Sequence, residues 1–109
     1  MKITVQFTDS CSHQDAVRDL LREAVADAGV EVEIEETSVR TDEEAQRAKV
    51  LGSPTIRVEG LDVEYAEREP DETSNGCRYY NTPAGWKPFP EKGMIIRAIE
   101  RARGSAQPR

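Results

Sequence analysis

Cysteine and histidine are scarce in this 109-residue chain, which has two cysteines, Cys11 and Cys77, and one histidine, His13. A tetrahedral zinc site needs four ligands and would be short of them, so no metal is expected. Two cysteines also fall short of the disulfide framework of a small secreted domain. In a reducing compartment both are expected to be thiols at rest, with any bond between them transient. Basic residues are outnumbered, 15 Lys and Arg against 21 Asp and Glu, for a net charge of −6. A nucleic-acid binder would need a basic stripe to displace counterions, so that class of partner is not expected. A role at anionic membrane surfaces is disfavoured for the same reason. Long apolar runs are missing too. Nothing approaches the roughly 20 residues of a membrane span. In "MKITVQFTDS", Gln6, Thr8 and Asp9 interrupt well before the ~7–15 apolar residues of a signal-peptide core. A cytoplasmic protein is the expectation.

What is present is a regular alternation of patterns. Residues 2 to 7, "KITVQF", put Ile3, Val5 and Phe7 on one side and read as a strand. From 13 to 28 the period changes: Val17, Leu20, Leu21, Ala24, Val25 and Ala28 share a helical face. Ser12 is the expected N-cap and Gly29 the C-terminal stop. "VEVEIEE", 30 to 36, reads as a half-buried strand with Val30, Val32 and Ile34 inward. Thr41 or Asp42 caps a short helix through "EEAQRAKVL", closed by Gly52. "TIRVEGLDVEY" reads as a hairpin around Glu59 and Gly60. Residues 66 to 90 show no clear period and read as a long irregular excursion with a short strand at "CRYY". A helix over 91 to 103 follows, then a frayed tail at 104 to 109. The sum is one α/β domain in βαβ-α-ββ-α order. Its expected sheet is mixed and four-stranded, with helices on both faces and a right-handed first crossover.

Cys11 sits between the first strand and the first helix. A helix N-terminus carries about half a positive charge and free N–H groups, which favour a thiolate. Such cysteines have pKa values lowered from about 8.5 into roughly the 3.5–7.5 range. Polar neighbours Asp9, Ser10, Ser12 and His13 argue for exposure, against the alternative of a small buried side chain. Protonated His13 would stabilise the thiolate, and Asp9 would oppose it.

The order of elements, with "SCSHQ" at the first strand-to-helix turn and "GSPT" before the third strand, resembles the thioredoxin/glutaredoxin superfamily. "GSPTI" followed by "CRYY" is similar to small glutaredoxin-like proteins, some annotated with organomercurial-lyase sequences. The resemblance implies a thioredoxin-like three-layer fold with Cys11 as nucleophile. It also implies a cis Pro54 beside that cysteine, and a Ser53 backbone that pairs with an incoming peptide or glutathione. One departure matters. Dithiol members carry C-x-x-C, whereas Gln14 stands here where the second cysteine would be.

Cys77 has two readings: a resolving thiol on a lid over Cys11, or a structural residue at the far end of a fourth strand. Disulfide closure needs Cα atoms roughly 4.4–6.8 Å apart, which a sequence does not fix. Arg78, Tyr79, Tyr80 and Trp86 either line a pocket, with Arg78 meeting a substrate carboxylate, or pin the excursion onto the core. The function expected is thiol–disulfide exchange on a protein or small-molecule disulfide. Cys11 attacks, Cys77 or glutathione resolves, and no cofactor is needed beyond glutathione as a co-substrate. Two other readings stand beside it: a soft-metal module holding a mercury-type ion between two thiolates, and a redox-inert thioredoxin-like interaction domain.

Overall fold

A computed structural model of the chain describes residues 1–9, 13–66 and 68–106. The expected nucleophile Cys11 and the expected cap Ser12 lie outside the described residues. Among the described residues the architecture is a compact α/β domain with three helices and a mixed four-stranded sheet.

Strand β1 (Lys2–Thr8) is central, as its apolar alternation requires. It pairs in parallel with β2 (Glu33–Val39) and antiparallel with β4 (Thr55–Val58). Two residues of turn separate β4 from the short β5 (Leu61–Asp62), giving the order β2-β1-β4-β5. Ile3, Val5 and Phe7 project from one face of β1 into the core. There they meet Val17, Leu21 and Ala24 of α1 (Gln14–Ala28) and Met94, Ile95, Ala98 and Ile99 of α3 (Lys92–Ala106). Removing apolar side chains such as these from water contributes about 1.5–3 kcal/mol each. The two helices are tied at their ends as well. Lys92 pairs with Asp27 at 2.7 Å, and the Arg103 guanidinium donates to the Ala28 carbonyl at 2.7 Å. The alternate residue Gln6 faces the other way and donates to the carbonyl of Ala48 at the end of α2 (Asp42–Ala48). A smaller cluster of Val39, Ala45 and Val50 anchors α2.

Several boundaries depart from the sequence reading. The residue capping α1 is His13, without a side-chain bond to the helix, and Gly29 closes it in the left-handed conformation. β2 starts at Glu33 rather than residue 30, because Val30 to Val32 return the chain from α1 to the level of Lys2. It is an edge strand exposed throughout except at Val39, and Ile34 is 39% exposed rather than half-buried. Thr41 caps α2 by accepting the Glu44 N–H at 3.1 Å, but Lys49, not Gly52, closes it in the left-handed region. α3 continues past residue 103 to Ala106. A single glycine, Gly104, costs a helix only about 1 kcal/mol.

The excursion is irregular only in part. It holds β6 (Ser74–Cys77) and a small hairpin of β7 (Tyr80–Thr82) and β8 (Gly85–Lys87). The expected strand at "CRYY" is instead the end of β6 and the start of β7, with Arg78 and Tyr79 between them. β6 runs parallel to β3 (Leu51–Ser53), a strand separated from β4 only by Pro54. The connection from β5 is held down by Arg57, whose guanidinium forks onto Glu69 at 2.8 and 3.0 Å. The same side chain donates to Gln6 and to the Lys49 carbonyl.

Candidate functional site

The centre is the junction of β3 and β4. The Ser53–Pro54 peptide bond is cis, and both residues are buried. Ser53 Oγ accepts the N–H of Thr8 at 3.0 Å, so the end of β1, where the segment carrying Cys11 begins, lies against this junction. On the other side, Ser53 stands in register with Cys77, and its carbonyl accepts the N–H of Arg78 at 2.9 Å. Ser53 was expected to offer its backbone to an incoming substrate. In this structure the chain's own β6 takes that edge. Cys77 is solvent-exposed and disulfide-bonded in this structure. The sequence holds one other cysteine, Cys11. Among the described residues none is a free cysteine.

Arg78 is built into the fold. Its guanidinium meets Asp62 through two parallel bonds of 2.7 Å and reaches Glu64 at 3.2 Å. It lies over the ring of Tyr80, 4.0 Å from the centroid, with the ring of Tyr65 at 5.1 Å. Arg78 is 5% exposed and Asp62 fully buried. The expectation that Arg78 meets a substrate carboxylate is therefore corrected: its carboxylate partners are internal. Burial alone would raise the Asp62 carboxyl. The bonded Arg78 cation and the N–H groups of Tyr65 and Glu64 outweigh that and hold it below the usual carboxylate value. Burial would likewise loosen the Arg78 proton, but the bond to Asp62 and the surrounding negative groups hold it more firmly than usual. Burial pushes the Tyr80 phenol well above its ordinary value, against the opposing pull of the Arg78 cation. The Tyr80 hydroxyl donates to the Pro54 carbonyl at 2.6 Å, tying the hairpin to the same junction.

The geometry explains why β5 stops at Asp62 and does not run on through "LDVEY". The Asp62 carboxylate accepts two backbone N–H groups ahead of it and folds residues 63 to 65 into a turn. Such a local side-chain bond competes with the strand ladder. Close fit at β3 has a sequence cause too. Gly52 has φ +110°, and a Cβ there would lie 2.8 Å from Cβ of Arg78. Only glycine allows both that backbone angle and that approach.

Of the residues singled out from sequence, Ser53, Pro54, Cys77 and Arg78 come together. His13 is exposed at the start of α1 with its ring edge-on to Phe89, centroids 5.9 Å apart. Tyr79 and Trp86 are 60% and 67% exposed, whereas Tyr80 is wholly buried. Sequence reasoning missed Asp62, Glu64 and Gly52. The signal for Asp62 was an acid between Leu61 and Val63 in an apolar hairpin strand, since a buried charge requires a partner. Among the described residues no three His, Cys, Asp or Glu side chains are grouped to hold a metal ion, and no helix is long and apolar enough to cross a membrane. No family model matches the chain, and comparison with curated proteins and with solved structures gave no match.

Proposed function

We propose that this protein is a thiol–disulfide oxidoreductase of thioredoxin/glutaredoxin-like kind, with Cys11 and Cys77 as its redox pair. The observation that carries the reading is the state and place of Cys77: exposed, disulfide-bonded, and in register with Ser53 beside the cis Pro54. Exposed disulfides are the labile and catalytic ones, in contrast to buried structural bridges. The mixed sheet, with its first crossover helix beginning just after Cys11, supports a thioredoxin-like arrangement.

In the reduced protein the Cys11 thiolate attacks one sulfur of a disulfide or glutathionylated thiol. A bond from Cys11 to that sulfur forms, the substrate S–S bond breaks, and the other sulfur leaves as thiolate. The Cys77 thiolate then attacks Cys11, expelling the second substrate sulfur. Two electrons have passed to the substrate, and the protein holds the Cys11–Cys77 bond. Two molecules of glutathione restore the thiols and leave as glutathione disulfide. No metal or organic cofactor takes part.

The test is turnover of a glutathione mixed disulfide of a small thiol in glutathione buffer. Cys11→Ser is expected to reduce the rate to background, and a retained rate refutes the assignment. Cys77→Ser separates a dithiol cycle from direct resolution by glutathione.

A further inference from the structure

What keeps Cys77 against β3 is not the strand pairing alone. β6 and β3 are in register at only two positions, Leu51 with Ser74 and Ser53 with Cys77, with an irregularity between them. Two short strands are marginal at best without further packing. The next residue supplies it. The Arg78 N–H holds the Ser53 carbonyl, its Cβ fills the space Gly52 leaves open, and its guanidinium is clamped by Asp62 and lies over the rings of Tyr80 and Tyr65. Asp62 in turn belongs to the four-stranded sheet through its pairing with Arg57.

We infer that Asp62 and Arg78 are positioning residues for Cys77, setting how readily its disulfide opens. An intramolecular disulfide is as hard to reduce as the effective concentration of its two thiols is high. With the clamp intact, Cys77 stays beside Ser53 after reduction, and the bond readily reforms. With the clamp broken, the reduced 66–90 segment moves more freely and the bond reforms less. The step is ordinary exchange: two glutathione thiols are oxidised to glutathione disulfide, and the protein disulfide takes up two electrons and two protons. The inference concerns the pair read above as the redox couple and rests on that reading for its consequence. Its readout is an equilibrium that needs no turnover, so a protein inert toward substrates still tests it.

The experiment equilibrates the full chain in mixtures of reduced and oxidised glutathione, quenches by alkylation, and reads the oxidised fraction of Cys77 by mass spectrometry. Asp62→Asn leaves the guanidinium without its ionised partner. Arg78→Lys keeps the charge and loses the fork. The double variant Asp62→Asn with Arg78→Met removes both charges while the amide carbonyl still accepts the N–H groups of Glu64 and Tyr65. Ile99→Val, a core change on α3 outside the Asp62–Arg78 pair, is expected to lower stability in both redox states alike. The expected result is a roughly tenfold shift toward the reduced form in each clamp variant that melts cooperatively, equivalent to about 30 mV for a two-electron couple. Ile99→Val is expected to stay at the wild-type value. If Asp62→Asn does not fold, Arg78→Lys and the double variant decide. Folded clamp variants within twofold of wild type, or an equal shift in Ile99→Val, overturn the inference.

Discussion

Replacing Gly52 by alanine tests the fit at the centre of the site, and Gly60→Ala is its control. Both glycines have positive φ, +110° and +83°. An L side chain in such a conformation costs about 1–3 kcal/mol. They differ in surroundings. A Cβ at Gly60 meets nothing within 4 Å, whereas one at Gly52 meets Arg78 Cβ at 2.8 Å and its Cα at 3.2 Å. Those atoms belong to the backbone and root of a clamped residue and cannot swing aside as a side-chain tip would. Overpacking of this sort adds about 1–3 kcal/mol. Gly60→Ala should therefore lose the backbone part alone, and Gly52→Ala about 2–6 kcal/mol in total, a large share of the roughly 5–15 kcal/mol that holds a domain folded. The assay is urea unfolding by circular dichroism. With a slope of about 1–3 kcal/mol per molar, an extra 2 kcal/mol lowers the midpoint by roughly 1 M at unchanged slope. Equal midpoints for the two variants would refute the argument that Arg78 is packed onto β3.

Two further outcomes follow from the buried polar groups. Because the Asp62 carboxyl is held below its ordinary value in the fold, the unfolded chain takes up a proton first as pH falls below about 4, and stability drops by up to about 1.4 kcal/mol per pH unit. Asp62→Asn should be less stable at neutral pH yet show a shallower acid limb in melting temperature against pH; an unchanged limb would place the acid sensitivity elsewhere. Tyr80→Phe removes the hydroxyl that donates to the Pro54 carbonyl, and leaving that buried acceptor unmet should cost about 1–3 kcal/mol in the same urea assay. A loss under a few tenths would show that the bond adds nothing net.

How much could be read from the sequence varied with the physics behind each element. β1, α1, the Glu59–Gly60 turn and α3 have strong periodicity or turn chemistry, and each lies within a few residues of expectation. β6 and the β7–β8 hairpin were illegible because their stability is not local. "SNGC" has no apolar alternation and carries Asn75-Gly76, a turn signal. It is a strand held by bonds to distant residues: the Ser74 N–H donates to the Val50 carbonyl, the Asn75 side-chain amide to the Arg40 carbonyl and, just past the strand, Arg78 binds Asp62 sixteen residues earlier. The same long-range pair decides between the two readings of Arg78. Its guanidinium reads in sequence either as meeting a ligand or as pinning the excursion, and the fold supplies two internal carboxylates for the second. Ser53, Pro54 and Cys77 were singled out by resemblance and position, and the structure places them side by side. The partner of Arg78 could have been sought from Asp62, an acid in an apolar strand.

The acidic edge of the sheet has a consequence for how copies of this protein meet. An open strand edge is a template for another strand, and β2 offers one seven residues long. Glu33, Glu35 and Glu36 stud it. A second copy docking edge to edge would bring glutamate against glutamate across the new ladder, where like charges are destabilising. Lys2 and Arg18 each pair with one of these acids at 3.0 and 2.9 Å, so the repulsion is tempered without being cancelled by the chain's net charge of −6. The strand thus completes its own sheet while discouraging a neighbour's, and added salt, which shortens the reach of that repulsion, weakens the discouragement.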